Sequence, residues 1–339
     1  MRKTPAPWPA IFATTCLSRP QPQCVQALQF VATKESGLSK RTYLRQARRG
    51  VVNLCALAAL LGGASCSSVP LTQNGSLATY DNLGPRQGRL SKSRSFVDGP
   101  SVAAMTTVSL VPTTVSEAAS SRLSHPGESR LVANAIDRTM CVALSDKYRI
   151  VPPGQTADLT VHATVTDIVP TGKVAAGLST AVTLGSSVVL PVGVPRLPLG
   201  LGGMAAEVEA VDLVGQQRAA MVWSKGANSI TNMPRVSEIG DAYNFAGPFS
   251  AQFANLLVKG RAAGSGLDIQ LPSRQRIRSS LGGKPKEEAC AAFGRAPGVG
   301  GLIAGTFGVP PSWTDHGADS EIADATSHPT EAAQPSLRP

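Results

Sequence analysis

The clearest pattern along the chain lies in 157–169, where Leu159, Val161, Ala163 and Val165 alternate with Thr160, His162, Thr164 and Thr166. Successive side chains of a strand point to opposite faces, so a period of two predicts a half-buried antiparallel strand. Segments 204–214 and 218–224 flank Gly215-Gln216, and that spacing predicts a hairpin. Glu207 and Glu209 share one face of its first strand, with Val208 and Ala210 on the other. Paired carboxylates invite acid–base chemistry, but this alternation predicts a solvent-facing pair. Two shorter β-branched stretches, 105–111 and 148–151, end at Pro112 and at Pro152-Pro153-Gly154.

Two segments carry the period of a helix. Val132, Ile136, Met140 and Ala143 recur at steps of three and four within 126–147, with Pro126 and Glu128 in the first turn and Lys147 in the last. In 241–258, Ala242, Phe245, Phe249, Phe253 and Leu256 form an apolar face; Asp241 is expected to cap this helix, and Pro248 to kink or restart it. The order β-α-β-β-β-β-α predicts an α+β domain over 104–260, with a mostly antiparallel sheet of about four to five strands and two helices packed on one face. Residues 173–203 interrupt two good strands with an apolar, Gly/Pro-punctuated run lacking any acid. Such a run is expected either to dock a partner or to fold back over the sheet. An extension, 261–316, contains one expected short helix at 284–293, with Pro285 at its start and Gly294 at its stop. The polar tail 317–339 is expected to be disordered.

The N-terminal region reads differently. Arg41, Arg45, Arg48 and Arg49 precede an apolar run from Val51 to Leu61, followed by Gly62-Gly63-Ala64-Ser65-Cys66. A positive flank, a short apolar core and small residues before a cleavage point make a secretory signal. The run is too short to span a bilayer, which takes roughly 20 apolar residues. A cysteine directly after the small residues resembles the lipobox of bacterial lipoproteins, in which that cysteine is acylated; Gly63 stands where leucine is usual, and the alternatives are ordinary cleavage near Ala64 or an uncleaved anchor. Arg48-Arg49 is not followed by further elements of a twin-arginine signal. Residues 1–38 precede this signal, so synthesis is expected to start downstream of them. The Ser-, Gly-, Pro- and Asn-rich residues 66–103 are expected to form a flexible tether.

Charge changes the picture once it is located. The chain has 32 Lys+Arg against 22 Asp+Glu, a net +10. Nine of the basic residues and one acid precede Cys66, which leaves 32−9 = 23 against 22−1 = 21 in the remainder. That near-neutral remainder, with aromatics only 4% of the chain, excludes the basic, stacking surface of a nucleic-acid binder. Three cysteines remain from Cys66 onward. With Cys66 lipidated and the compartment oxidising, Cys141 and Cys290 are left either to form a disulfide or to stay as two buried thiols.

Several stretches together carry a resemblance: Leu77-Ala-Thr-Tyr80-Asp-Asn-Leu83, the 105–115 strand, Leu144-Ser-Asp-Lys-Tyr148, 157–169 with Asp167, 206–213, and Gly240-Asp241-Ala242. Over roughly 77–257 the chain resembles proteobacterial lipoproteins of the domain of unknown function 3313 family. The resemblance implies an envelope lipoprotein with a small α+β domain and brings no catalytic residues. Ser67 after the acylated cysteine, read by resemblance to lipoprotein sorting, implies the outer membrane.

Candidate chemistry is sparse. Of four histidines, His162 lies on a Thr-lined strand face, His125 in a loop and His328 in the tail. His316 sits with Asp315, Asp319 and Glu321 in a cluster that metal binding would need fixed on rigid elements. No nucleophile elbow, zinc-binding H-E-x-x-H or phosphate loop occurs, and Gly298-Val-Gly300-Gly301 follows an expected helix instead of a strand. No metal, cofactor or catalytic residue is expected. The expected role is structural or protein-binding, with an envelope protein as partner and no nucleic acid; the alternative is a small-ligand-binding or hydrolytic periplasmic domain.

Overall fold

The structure, a computed structural model, describes residues 69–89, 91–172, 200–228, 236–262 and 272–315. Cys66, the signal region 1–65, residues 173–199 of the apolar insertion, His316 and the tail 317–339 lie outside the described residues.

The elements run β1 (Ser91–Val97), α1 (Gly99–Ala104), β2 (Thr107–Leu110), β3 (Thr114–Val115), α2 (Glu117–Ser120) and, after a 3₁₀ turn, α3 (Ser129–Leu144). Then come β4 (Arg149–Val151), β5 (Leu159–Val169), β6 (Gly203–Asp212), β7 (Gln217–Gly226) and α4 (Gly240–Lys259). The extension adds α5 (Arg274–Ser280), a 3₁₀ helix at Glu288–Phe293 and α6 (Gly298–Thr306). The fold is α+β. Its sheet has seven strands, ordered β1-β7-β6-β5-β2-β4, with β3 pairing β5 off that path.

The sheet is mixed and seven-stranded: its long pairs are antiparallel as expected, but it has more than the four to five strands expected, and its short strands pair in parallel. β2 runs parallel to both β4 and β5, and β3 is parallel to β5. Strand direction is not written in alternation, and strands of two to four residues are too short to carry a period. The chain leaves β2, crosses through α3 and returns as β4, which is the connection a parallel pair needs. The long pairs β5–β6, β6–β7 and β1–β7 are antiparallel.

The core lies between the sheet and the helices α3 and α4. Leu159, Val161, Ala163 and Val165 of β5 face it, as do Ala206, Val208 and Ala210 of β6 and Met221 and Trp223 of β7. Val132, Ile136 and Met140 meet them from α3; Phe245, Phe249 and Phe253 meet them from α4. Trp223 is completely buried, 5.6 Å from Phe249 and 6.3 Å from Phe245 between ring centroids. Its indole N–H donates to Gln252 Oε1 (2.9 Å), and Gln252 Nε2 donates to Ser93 Oγ (2.8 Å), so a partly buried polar chain ties α4 to the edge strand β1.

α4 falls within a residue of its expected bounds but is capped differently. Ile239, not Asp241, occupies the N-cap. Asp241 is instead buried in the first turn, where Oδ2 accepts from Gly202 N (2.8 Å) and Thr171 Oγ1 (3.1 Å), stitching the helix start to the sheet end. The helix does not restart at Pro248, and Gly260, at φ +60°, closes it in the left-handed conformation. Where 284–293 was expected to be helical from Pro285, only the 3₁₀ helix Glu288–Phe293 forms, ending at Gly294.

The largest departure is in the expected tether. Residues 91–97 form an edge strand, and 69–83 lie across the sheet face opposite the helices. Leu77 and Leu83 are buried there against Ala220 and Val222, with Leu71, Tyr80 and Phe96 around them. Fully burying a leucine stabilises a fold by about 2 kcal/mol. Polar composition hid this segment because a strap needs only a few apolar contacts while its backbone donors find acceptors on the sheet.

Candidate functional site

The strap shapes the first candidate region. Glu207 and Glu209 of β6 point to the face opposite the helices, as their strand positions require, but both are buried; Glu207 has no exposed surface. The strap turns its donors onto them. Glu207 accepts hydrogen bonds from Asn74 N (2.8 Å), Ser76 N (3.1 Å), the Ser76 hydroxyl and Tyr80 Oη (2.6 Å). Glu209 Oε2 accepts from Ala78 N (2.8 Å) and Gln217 Nε2 (2.7 Å). The expectation of a solvent-facing pair is thereby corrected: these carboxylates bind the chain's own backbone. Among the described residues neither forms an ion pair with Lys or Arg; hydrogen-bond donors alone compensate their burial. Burial, followed by the bond to Glu207, pushes the Tyr80 hydroxyl up from its ordinary range. A signal was present in the sequence: Leu77, Tyr80 and Leu83 recur at steps of three in an otherwise polar stretch.

The strap begins where the chain arrives from Cys66. Val69 is 1% exposed, and its carbonyl accepts from Lys92 Nζ and Ser224 Oγ, both at 3.2 Å. It lies so close to Gly203 that a Cβ there would meet Val69 Cγ2 at 2.3 Å and Lys225 O at 2.9 Å. The insertion departs from the same end of the sheet, where Gly172 N donates to Gly200 O (2.9 Å).

A second region lies between α3 and the loop that joins β2 to β3. Thr113, Ser129, Arg130, Asn134 and Asp137 line a cavity of about 470 Å³. Asp137 is buried and accepts from Thr113 N at 2.9 Å, with the Thr113 hydroxyl also bonded to it. Burial outweighs those bonds and raises its carboxyl to about 6. Sequence reasoning missed this residue because Asp137 sits between helical apolar positions with nothing to mark its partner.

The extension is fastened to α3. Cys141 and Cys290 are joined by a disulfide with 5.7 Å between Cα atoms. Arg276 Nε lies 2.8 Å from Asp146 Oδ2, and Lys286 Nζ donates to Ser145 O (3.1 Å). At the other end Asp315 is buried: Oδ2 accepts from Arg138 Nη2 and from Tyr243 Oη, each at 2.5 Å. The described part of the sequence cluster around His316 is thus an ion pair, and among the described residues no group of three or more His, Cys, Asp or Glu is placed to hold a metal. His162 and His125 are exposed. Among the described residues no helix is long and apolar enough to cross a membrane.

Among solved structures the chain is similar to two of the PelC dodecamer from Paraburkholderia phytofirmans, at 14% and 13% identity. Each match covers 51% of this chain and 99% of the other, with a TM-score of 0.30. No curated protein matches it. Residues 72–253, from the strap through most of α4, match the family described as "Protein of unknown function (DUF3313)", and the chain belongs to that family.

Proposed function

We propose that this chain is an envelope lipoprotein, held through acylated Cys66 on the periplasmic face of the outer membrane, whose domain has a structural or protein-binding role and no catalytic one. The observation that carries the reading is the position of Val69. Only three residues after Cys66, the chain is already buried in the domain. Three residues extend at most about 10 Å, so an acyl group on Cys66 holds the domain against the bilayer instead of on a long leash. The insertion leaves the sheet at that same end; its last residues, 201–203, return to the core and β6, and the remainder of 173–203 is assigned to contact with an envelope protein. Cys66 is the residue on which the proposal stands. Intact mass and membrane fractionation in a Gram-negative host test it: the native chain should gain the mass of acyl groups and sediment with outer membrane, and Cys66→Ala should do neither. Two soluble, unmodified forms would remove the reading.

One observation favours a second reading, a small-ligand-binding or hydrolytic domain: the cavity beside Asp137, with a buried carboxylate at its wall. Thermal unfolding against a metabolite panel separates the two, since a ligand of the folded state raises stability by mass action.

A further inference from the structure

Helix α6 is built inside out. Its buried positions are Gly301 and Gly305, whereas Val299, Leu302 and Ile303 are 52%, 60% and 52% exposed. These three lie at i, i+3 and i+4, on one face. Phe307, just past the helix, is 54% exposed and Trp313 is 72% exposed. Gly301 leaves no room for a side chain: a Cβ there would meet Cβ of Pro297, the helix's own N-cap residue, at 2.2 Å. Residues 296–314 contain no charge at all. A water-facing helix places its large apolar side chains inward, so a helix that does the reverse is shaped for something other than water.

The position of this face selects its occupant. Gly308 O accepts from Val236 N (2.8 Å), two residues before Glu238, whose carbonyl accepts from Thr171 N (2.8 Å). Thr171 and Gly202 both bind Asp241, and the neighbouring Gly203 touches Val69. The apolar face therefore belongs to the end of the sheet where the chain enters from Cys66. A Trp and a Phe beside aliphatic residues suit the boundary between headgroups and acyl chains, where an indole ring keeps its N–H wet and its body dry. We infer that the face formed by Val299, Leu302, Ile303, Phe307 and Trp313 is a second, non-covalent membrane contact, which lies in the headgroup region of the bilayer and fixes the orientation of the domain on it. The choice of a lipid surface over another occupant rests on the anchored reading above. The face lies beyond the family-matched residues and is a feature of this chain's extension.

The test uses the full chain carrying Cys66→Ala, so its outcome is independent of acylation, and Trp8→Phe, so that Trp313 and the buried Trp223 are its fluorophores. Vesicles of phosphatidylethanolamine and phosphatidylglycerol with brominated acyl chains are the probe. Trp313 emission should shift to the blue and be quenched, and Leu302→Ser, Ile303→Ser and Phe307→Ser together should weaken that quenching by about tenfold or more. These three side chains are exposed, and unchanged Trp223 emission checks that the variant is folded. If Trp313 stays unquenched while the vesicles capture the chain through its signal segment, or if no binding occurs, the inference is overturned. It is equally overturned if sedimentation velocity shows an oligomer that the three serine substitutions dissociate, since the occupant is then a second copy. Loss of acylation with retained Trp313 quenching would remove the anchor proposal and leave this contact standing.

Discussion

Tyr80 and Glu207, 127 residues apart in the chain, share a 2.6 Å hydrogen bond across the face of the sheet that faces away from the helices. The bond closes a set of donors from 74–80 around one carboxylate, and so turns a polar stretch into part of the domain.

Replacing Glu207 by Gln keeps the shape but puts an NH₂ where several donors already point. Glu207→Gln should lower stability by about 1–3 kcal/mol, and Tyr80→Phe by about 1 kcal/mol. Thermal unfolding measures both. The effects should be less than additive, because the two groups share a bond.

Asp137 predicts a pH dependence. Its folded pKa, about 6, lies above the ordinary 3.8, so the folded state holds the proton more tightly than the unfolded chain. Its contribution is therefore most favourable below pH 4 and is lost as pH rises toward 6, by about 3 kcal/mol at most. Asp158 has the opposite sign. Hydrogen bonds from the Thr106 and Thr107 backbone hold it at about 2, and its contribution is lost only in stronger acid. Denaturant unfolding from pH 4 to 7 should show the Asp137 slope in the native chain and a flatter profile in Asp137→Asn. An unchanged slope would assign the dependence to other groups.

The disulfide spans 149 residues of sequence. Removing it by Cys141→Ala with Cys290→Ala should cost about 2–5 kcal/mol. A reductant should lower the melting temperature of the native chain and leave that of the double variant unchanged.

Gly203→Ala tests the docking of the strap. The added methyl group has no room beside Val69 and the Lys225 carbonyl. The substitution should cost about 1–3 kcal/mol and speed proteolysis between Cys66 and Leu83 more than elsewhere, which mass spectrometry of limited digests reads directly.

The elements with long periods were legible. β5, the β6–β7 hairpin, α3 and α4 all fall close to their expected bounds, because each repeats its apolar positions often enough to show a face. β1 was not legible. Ser91-Lys-Ser-Arg-Ser-Phe-Val97 is polar because an edge strand buries little. The carboxylates illustrate a deeper ambiguity. Alternation places Glu207 and Glu209 on the polar side of β6, but it does not say whether water or another stretch of polar chain lies over them. Only the partner decides that, and the partner lies some 130 residues away. Asp315 is similar: from the sequence it is one acid in a cluster, and its fate was set by Arg138 and Tyr243.

The Cys141–Cys290 bond links α3, inside the family-matched span, to a segment beyond it. Residues 263–271 join the same two regions along the backbone. The extension is thus tied on twice, in a closed covalent ring. A protease that cuts once within 263–271 leaves two polypeptides that migrate as one species until a thiol is added. After such a cut the appendage that carries Leu302, Phe307 and Trp313 stays on the domain until the disulfide is reduced, so release by that route takes a coincidence of hydrolysis and reduction.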